Sequence, residues 1–312
     1  MRILITGASG FIGRHLAMRL LEEPSTELYL LDRAGSTASL PPTVRPQTGI
    51  IHADLRDFEQ IQRALNDVRP DVIFHLAAVG VGDPFLAVED ALSHNLYGTL
   101  NLLRAAFSAE HNVQKPRQLV VSRTPGEYSA MNPYAASKAA AWQFCRMYAR
   151  TLGWPIVGAA LFQAYGPGQP QKRVLPAAII SALNDRDFPM TAGAQERDWI
   201  FVSDVVAGLL ALRDAGLEPG STVEFGSGQL TSVAVVVQQV YALIGGSGQP
   251  QFGALPTRPG EEIVQRADAD RTFNLTGWRV KVPLEDGISK MVEFLNDPRN
   301  QLHQNDVKST DD

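Results

Sequence analysis

The chain has 312 residues, 45% hydrophobic and 20% charged, with a formal net charge of −5. That is long enough to bury a large core, and the acidic balance excludes a general nucleic-acid binder, which needs surplus Lys and Arg against phosphates. The single cysteine, Cys145, excludes an internal disulfide and a Cys-rich zinc site and is expected in a buried helix. No run reaches the roughly eighteen apolar residues of a membrane span, no signal peptide is read ahead of "RILITG", and the protein is expected to be soluble and cytoplasmic.

Apolar strand-like runs alternate with amphipathic helices through the first half. "RILITG" leads to a helix over 11–22, where Ile12, Leu16 and Leu20 recur every four residues and Pro24 marks the end. Further strands are expected at 27–32, 49–55, 71–77, 118–122 and 155–161, with helices near 57–67, 90–110 and 133–152. Strands apolar on both faces and separated by helices imply an α/β fold with a doubly wound parallel sheet. Beyond 162 the alternation weakens into Gly- and Pro-punctuated connections, with helices near 174–184, 203–214 and 231–244. The expected organisation is a domain over 1–162, with roughly 198–225 returning to it. A smaller C-terminal lobe takes 163–197 and 226–297, and the polar end, 298–312, is expected to lack fixed structure.

"ITGASGFIGRHL" places Gly7, Gly10 and Gly13 directly after the first strand, with Phe11 and Ile12 opening the first helix. The first glycine permits a tight turn, the second admits a pyrophosphate to backbone N–H groups, and the third lets helix and strand pack closely. The second strand ends in Asp32, about twenty residues on, where a carboxylate can accept hydrogen bonds from an adenosine ribose. Together these make the first domain a Rossmann-type dinucleotide site. Asp32 repels a 2′-phosphate and favours NAD over NADP, although Arg33 beside it could pair with that phosphate.

"VVSRTPGEYSAMNPYAASK" then puts Tyr134 and Lys138 four apart at the start of an Ala-rich helix, with Pro133 suited to its first turn. A tyrosine is a weak base at a pKa near 10, but an ammonium one turn away stabilises the phenolate. A hydroxyl at the end of the preceding strand could hold a substrate oxygen beside that phenol. The bland alternative is an exposed tyrosine resting on a lysine stem.

With "HADLRD", "HLAA", "NLYGTLNLL", "NPYAASK", "AYGPGQ", "RDWIFVSDV" and "RPGE" added in order, the chain resembles the extended short-chain dehydrogenase/reductases, specifically the NAD-dependent epimerase/dehydratase family acting on nucleotide-sugars, over about residues 1–297. The resemblance implies Tyr134 as catalytic acid/base, Lys138 as its activator and nicotinamide-ribose ligand, and Thr124 as the catalytic hydroxyl, with Ser122 as the fallback. It implies Asp54 and Leu55 at the adenine, Ala77 and Ala78 against the cofactor, and Asn95 wired to the site. Arg197 and Arg258 would grip the diphosphate of the sugar nucleotide, while Ala160 and Gln163 replace the family's Arg and Asn ahead of "YGP", where Gln163 can still hydrogen-bond a phosphate or hydroxyl of the substrate. It also implies a homodimer through the helices near 90–110 and 133–152. His15 and His94 fall on helix faces without partners at ligand spacing, so no metal is expected.

The pattern departs from the family at two further places. The segment between the Ser/Thr and the catalytic tyrosine is short, Thr124 standing only ten positions before Tyr134, and Pro125 and Gly126 occupy the positions where the dehydratases carry an Asp-Glu pair. A nucleotide-sugar epimerase working through a transient keto-sugar is therefore the first expectation. A nucleotide-keto-sugar reductase and a non-catalytic dinucleotide-sensing protein stand as the alternatives.

Overall fold

A computed structural model of the chain describes residues 1–36, 40, 43–81, 83, 85–108, 114–257 and 260–300. The chain forms two compact units, one of residues 1–161, 206–224 and 271–278, the other of 162–205, 225–270 and 279–312. Compared with the organisation expected from the sequence, the segment returning to the first unit is shorter at its front, and a second return occurs at 271–278. The expectation for the polar end lies, beyond residue 300, outside the described residues.

The first unit opens with β1 (Arg2–Thr6), α1 (Phe11–Leu20), β2 (Glu27–Asp32), β3 (Gly49–His52), α2 (Phe58–Val68) and β4 (Val72–His75). Next is a continuous helical stretch: α3 (Val88–Asp90), a wide π-turn over Ala91–Tyr97, and α4 (Gly98–Phe107). Then come β5 (Gln118–Arg123), a 3₁₀ turn over Pro125–Glu127, α5 (Pro133–Leu152) and β6 (Ile156–Leu161). The π-turn carries no sequence signature that periodicity could detect; such turns arise at single places inside helices, often beside functional sites.

In the second half of the chain lie β7 (Gln163–Tyr165), α6 (Val174–Leu183), β8 (Phe188–Pro189), β9 (Glu196–Arg197), β10 (Trp199–Phe201), α7 (Val202–Asp214) and β11 (Thr222–Phe225). After them come β12 (Thr231–Ser232), α8 (Val233–Ile244), β13 (Pro250–Gln251), β14 (Val264–Gln265), α9 (Ala269–Thr276) and α10 (Leu284–Asn296). Most of these strands are two or three residues long, too short to show a period of two, and α9 and α10 are masked in the sequence by Gly- and Pro-rich connections.

The main sheet has seven strands in the order β11-β6-β5-β4-β1-β2-β3. The pairings β2–β3, β1–β2, β1–β4, β4–β5 and β5–β6 are all parallel. The order reverses between β1 and β4, which is where an open α/β sheet leaves a crevice at its carboxyl edge. Ile3, Leu4 and Ile5 on β1 and Val72, Ile73 and Phe74 on β4 are all at 0% exposure, so both faces of the sheet are covered. One face builds a single core in which Leu4, Leu31 and Ile73 meet Leu102, Phe107, Trp142 and Ile156. Cys145 lies in that core, buried as expected. No helix among the described residues is long and apolar enough to cross a membrane.

Candidate active site

The glycine-rich loop is shaped by contacts that only glycine permits. Gly7 has φ +71°, and a Cβ there would stand 2.7 Å from the backbone of Ala77, so loop 7–10 lies directly on the chain leaving β4. A Cβ at Gly13 would run into the Gly7 carbonyl, which is the close helix–loop packing the third glycine serves. Gly10 caps α1 and donates its N–H to Gly7 O at 3.1 Å. Phe11 and Ile12 form the first turn, where backbone N–H groups have no intrahelical acceptor, and no acidic side chain sits in that turn. Such open N–H groups at a helix start could hold an anion such as a phosphate.

Asp32 ends β2 beside this loop, and its Oδ2 accepts the Ser9 N–H at 2.7 Å. The carboxylate is thereby fixed next to the phosphate cradle, while Oδ1 has no partner among the described residues. A cleft of about 200 Å³ runs from the loop past Asp32 and Arg33 to Asp54 and Leu55, with Ala77 and Ala78 on its other wall. Asp54 lines the cleft, but its carboxylate is clamped by Arg56, which donates its backbone N–H at 2.9 Å, Nε at 3.0 Å and a terminal N–H at 2.6 Å. That hydrogen bonding holds the Asp54 carboxyl down to about 2.

Asn95 ties the cleft wall to the helix of Tyr134. Its Oδ1 accepts the Val79 N–H at 2.9 Å, and its Nδ2 donates to Val79 O at 3.2 Å and Ser137 Oγ at 3.0 Å. The Ser137 hydroxyl in turn donates to Tyr134 O at 2.8 Å. Behind this lies His75, 1% exposed, with Nδ1 at 2.7 Å from Thr6 Oγ1 and Nε2 at 2.9 Å from Thr99 Oγ1. Thr99 spends its proton on Asn95 O at 2.7 Å, so it must accept from His75 Nε2–H. Nδ1 is then the acceptor, and Thr6 donates to it. Burial pushes the His75 pKa down to about 3, the Lys138 charge adding to the effect, so the ring is neutral. His75 is thus a core residue joining β1, β4 and α4.

β5 delivers the second half of the site. Ser122 is its penultimate residue; Thr124 comes after the strand as N-cap of the 3₁₀ turn, and Glu127 closes a capping box with it. The Glu127 carboxylate accepts the Thr124 N–H at 3.0 Å and the Arg123 Nε at 2.8 Å. The short connection ends at Asn132, whose side chain accepts the Ala135 N–H at 2.8 Å and starts α5 with Pro133 in its first turn. Tyr134 and Lys138 therefore stand one turn apart at the start of a well-capped helix. Lys138 is 3% exposed, and its ammonium makes no hydrogen bond to any described residue. Burial pushes its pKa down while the Glu127 charge holds it up. Tyr134 and Lys138 are not among the residues lining that cleft, but a buried ammonium with open donors and a glycine loop that a Cβ would fill both suit a nicotinamide dinucleotide, whose ribose hydroxyls can accept from a lysine.

In the second unit Gln163 lies on β7, its N–H donating to Asp198 O at 3.0 Å. Arg197 on β9 is 7% exposed and already held: one terminal nitrogen donates to Glu196 O at 2.9 Å, the other pairs with Glu261 at 3.4 Å. A diphosphate at Arg197 would compete with Glu261 for it. Arg258 lies outside the described residues. Among the described residues no group of three or more His, Cys, Asp or Glu could hold a metal.

Sequence reasoning passed over Ser9, Val79 and His94 in the cleft. His94 reads as a plain helix-face residue; only its place immediately before Asn95 pointed toward the site.

A model of the NAD dependent epimerase/dehydratase family matches residues 3–224. The chain is 29% identical to a probable dTDP-glucose 4,6-dehydratase from Sinorhizobium fredii, over 94% of this chain and 92% of that protein. Among solved structures, a Thermus thermophilus UDP-glucose 4-epimerase in complex with NAD superposes with a TM-score of 0.81 at 28% identity, covering 96% of this chain and 100% of the other. A dTDP-glucose 4,6-dehydratase from Streptomyces venezuelae superposes with a TM-score of 0.82 at 26% identity, covering 96% and 98%. With the glycine loop, Asp32 and the tyrosine–lysine helix in one unit, the chain belongs to the NAD-dependent epimerase/dehydratase family acting on nucleotide-sugars.

Proposed function

We propose that the protein is an NAD-dependent nucleotide-sugar epimerase that acts at position 4 of the sugar. The observation carrying this choice within the family is the fate of the acidic residue near the catalytic strand: Pro125 and Gly126 replace the dehydratase acid pair, and Glu127 is spent on Arg123 and the Thr124 N–H. No carboxyl of that turn is left to move a proton on the sugar ring.

A bound NAD would supply the acceptor for a hydride from the carbinol carbon and the donor for its return. Tyr134, one helical turn from the Lys138 ammonium, takes the hydroxyl proton as the ketone forms and gives it back after the sugar has turned. Thr124, or Ser122 two residues earlier, donates a hydrogen bond to the reacting oxygen. Lys138 also binds the nicotinamide ribose, and Gln163 contacts the substrate; Arg197 joins the diphosphate once Glu261 yields. Position 4 is supported by the names of the relatives, which are 4-epimerases and 4,6-dehydratases. Assembly as a homodimer through α4 and α5 and a cytoplasmic location belong to this proposal; Tyr97, just ahead of α4, and Phe144 on α5 are 57% and 41% exposed.

A 4,6-dehydratase is the second reading, favoured by the named curated relatives. The two reactions share the first oxidation and diverge once the keto-sugar has formed. Incubation with NAD and a panel of UDP- and dTDP-hexoses, with mass spectrometry and sugar analysis of the products, separates them. An epimer of unchanged mass supports the epimerase, and loss of one water supports the dehydratase. A product formed only from a keto-sugar with consumption of added NADH indicates a reductase. Tight NAD binding with no conversion of any sugar indicates the non-catalytic reading.

A further inference from the structure

The turn between β5 and α5 is fastened to α5 on both sides of Lys138. Gly126 lies against Ala135 in the first turn of that helix, since a Cβ at Gly126 would stand 3.5 Å from the Ala135 Cβ. Arg123, at the end of β5, reaches the same helix one turn beyond Lys138 and stacks on the Trp142 ring. Space for that stack is made on β6: a Cβ at Gly158 would stand 2.8 Å from Arg123 Cδ and 2.9 Å from Trp142 Cη2. The guanidinium also donates to Thr222 Oγ1 on β11 and pairs with the buried Glu127 carboxylate. Arg123 is thus held by a glycine that clears room for it, a ring beneath it and an acid beside it.

The residue that this pair holds is Thr124, which lies between its members in the chain. Glu127 Oε1 accepts the Thr124 N–H, and Thr124 O accepts the Glu127 N–H at 3.1 Å. The capping box turns the Thr124 side chain onto that same Glu127 N–H. Thr124 is therefore fixed through N–H, carbonyl and side chain, while its hydroxyl proton goes to no described residue and is left to donate. Ser122, inside β5, takes part in none of these contacts. Only ten positions separate Thr124 from Tyr134. The fastenings at Ala135 and Trp142 set where the hydroxyl stands relative to the phenol.

We propose that Arg123 and Glu127 are positioning residues, which hold the Thr124 hydroxyl at the oxygen whose proton Tyr134 carries. The proposal rests on the reaction proposed above, with Tyr134 as proton carrier, and names Thr124 as its hydroxyl partner. A misplacement of about 1 Å at such a group costs on the order of 10²-fold in rate. Replacing a buried ion pair by apolar side chains of similar volume is often neutral for folding. Position and stability can therefore be read separately.

The test uses the full-length protein with NAD and the panel of UDP- and dTDP-hexoses, and combines melting curves, NAD titration and steady-state kinetics. The double variant Arg123→Met, Glu127→Leu is expected to melt near wild type and to bind NAD as wild type does, while kcat falls by about 10- to 100-fold with KM little changed. Thr124→Val is expected to lose a similar factor, and adding it to the double variant costs nothing further, because both act on one hydrogen bond. Arg123→Lys keeps the charge but loses the fork and the stack on Trp142; it gives a smaller kcat loss of the same non-additive kind and serves should the double variant not fold. A kcat at the wild-type level in a folded pair variant, losses that add to that of Thr124→Val, or NAD affinity falling in step with kcat overturns the positioning role. Failure of wild type to convert any sugar of the panel overturns the enzymatic reading, and the proposal with it.

Discussion

Glu127 Oε2 lies 2.7 Å from an Arg123 terminal nitrogen and 2.8 Å from its Nε, with the two side chains 1% and 10% exposed. Arg123 also stacks 4.6 Å over the Trp142 ring and donates to Thr222 Oγ1 at 2.8 Å. The pair therefore locks the turn between β5 and α5, and removing one partner strands the other charge in a dry site. Glu127→Ala is expected to cost about 3–5 kcal/mol of unfolding free energy. Glu127→Gln, which can still accept from Arg123 and the Thr124 N–H, is expected to cost less. Denaturant titrations at neutral pH compare them; equal losses would show that the charge is irrelevant.

Tyr134→Phe removes the proton carrier and leaves the glycine cradle alone. Turnover is expected to fall by about 10²- to 10⁴-fold, the range of general acid–base catalysis, with NAD affinity nearly unchanged. Lys138→Met is expected to lower both, because in the proposed reaction the buried ammonium serves the phenol and the cofactor ribose together. Steady-state kinetics paired with NAD titration resolves the two patterns.

Asp32→Ala takes away a ribose acceptor and the partner of the Ser9 N–H. NAD binding is expected to weaken and NADP binding to strengthen, since the repulsion of a 2′-phosphate goes with the carboxylate and Arg33 stays. Titration with both dinucleotides reads the ratio, and an unchanged ratio would place the adenosine ribose elsewhere.

His75 makes stability fall with acid. Its folded pKa, about 3, lies below the unfolded value near 6.5, so the unfolded chain binds more protons between those limits. Its contribution is complete above about pH 6.5 and is lost as pH falls toward 3, at up to roughly 1.4 kcal/mol per pH unit. Stability curves of wild type and His75→Gln measured from pH 7 downward are expected to differ in slope, with the variant flatter. Parallel slopes would contradict a neutral, buried ring.

Asp198, 0% exposed, accepts from Ser227 N–H at 2.6 Å, Ser227 Oγ at 2.7 Å, Gly228 N–H at 2.8 Å and Ala267 N–H at 3.1 Å. An amide at this position turns one acceptor into a donor facing donors. Asp198→Asn is expected to destabilise the second unit by about 2–4 kcal/mol, on the scale of lost hydrogen bonds to a charged group. A thermal melt that fails to shift would mean that the 226–228 turn holds without it.

The alternating strands and helices of the first half were legible because apolar residues on both strand faces and a four-residue helix repeat are local signals. β2, β6 and α5 stand where those signals put them, give or take a residue. The glycine loop and the Tyr134–Lys138 spacing were legible for the same reason: each is a chemistry confined to a few consecutive residues. Three things were not. The π-turn over Ala91–Tyr97 shifts the directions of His94 and Asn95 without altering composition. The clamp of Arg56 on Asp54 is a choice of rotamer and turn, so a residue matched to the adenine pocket by pattern has its carboxylate occupied. The two- and three-residue strands around Arg197 exist only because distant segments meet there.

Length, strand polarity and the glycine spacing by themselves determined a doubly wound sheet with a dinucleotide cradle at its carboxyl edge, since those properties are set by neighbours along the chain. Which carboxylates and imidazoles remain open to a ligand was decided only when the fold brought Arg123 to Glu127, Arg56 to Asp54, Glu261 to Arg197 and Thr6 to His75. A polar group's chemistry is settled by whichever donor or acceptor reaches it once water is excluded: Glu261 and Thr6 come from distant parts of the chain, and Arg56 and Arg123 reach near neighbours only because the local turn sets their side chains there.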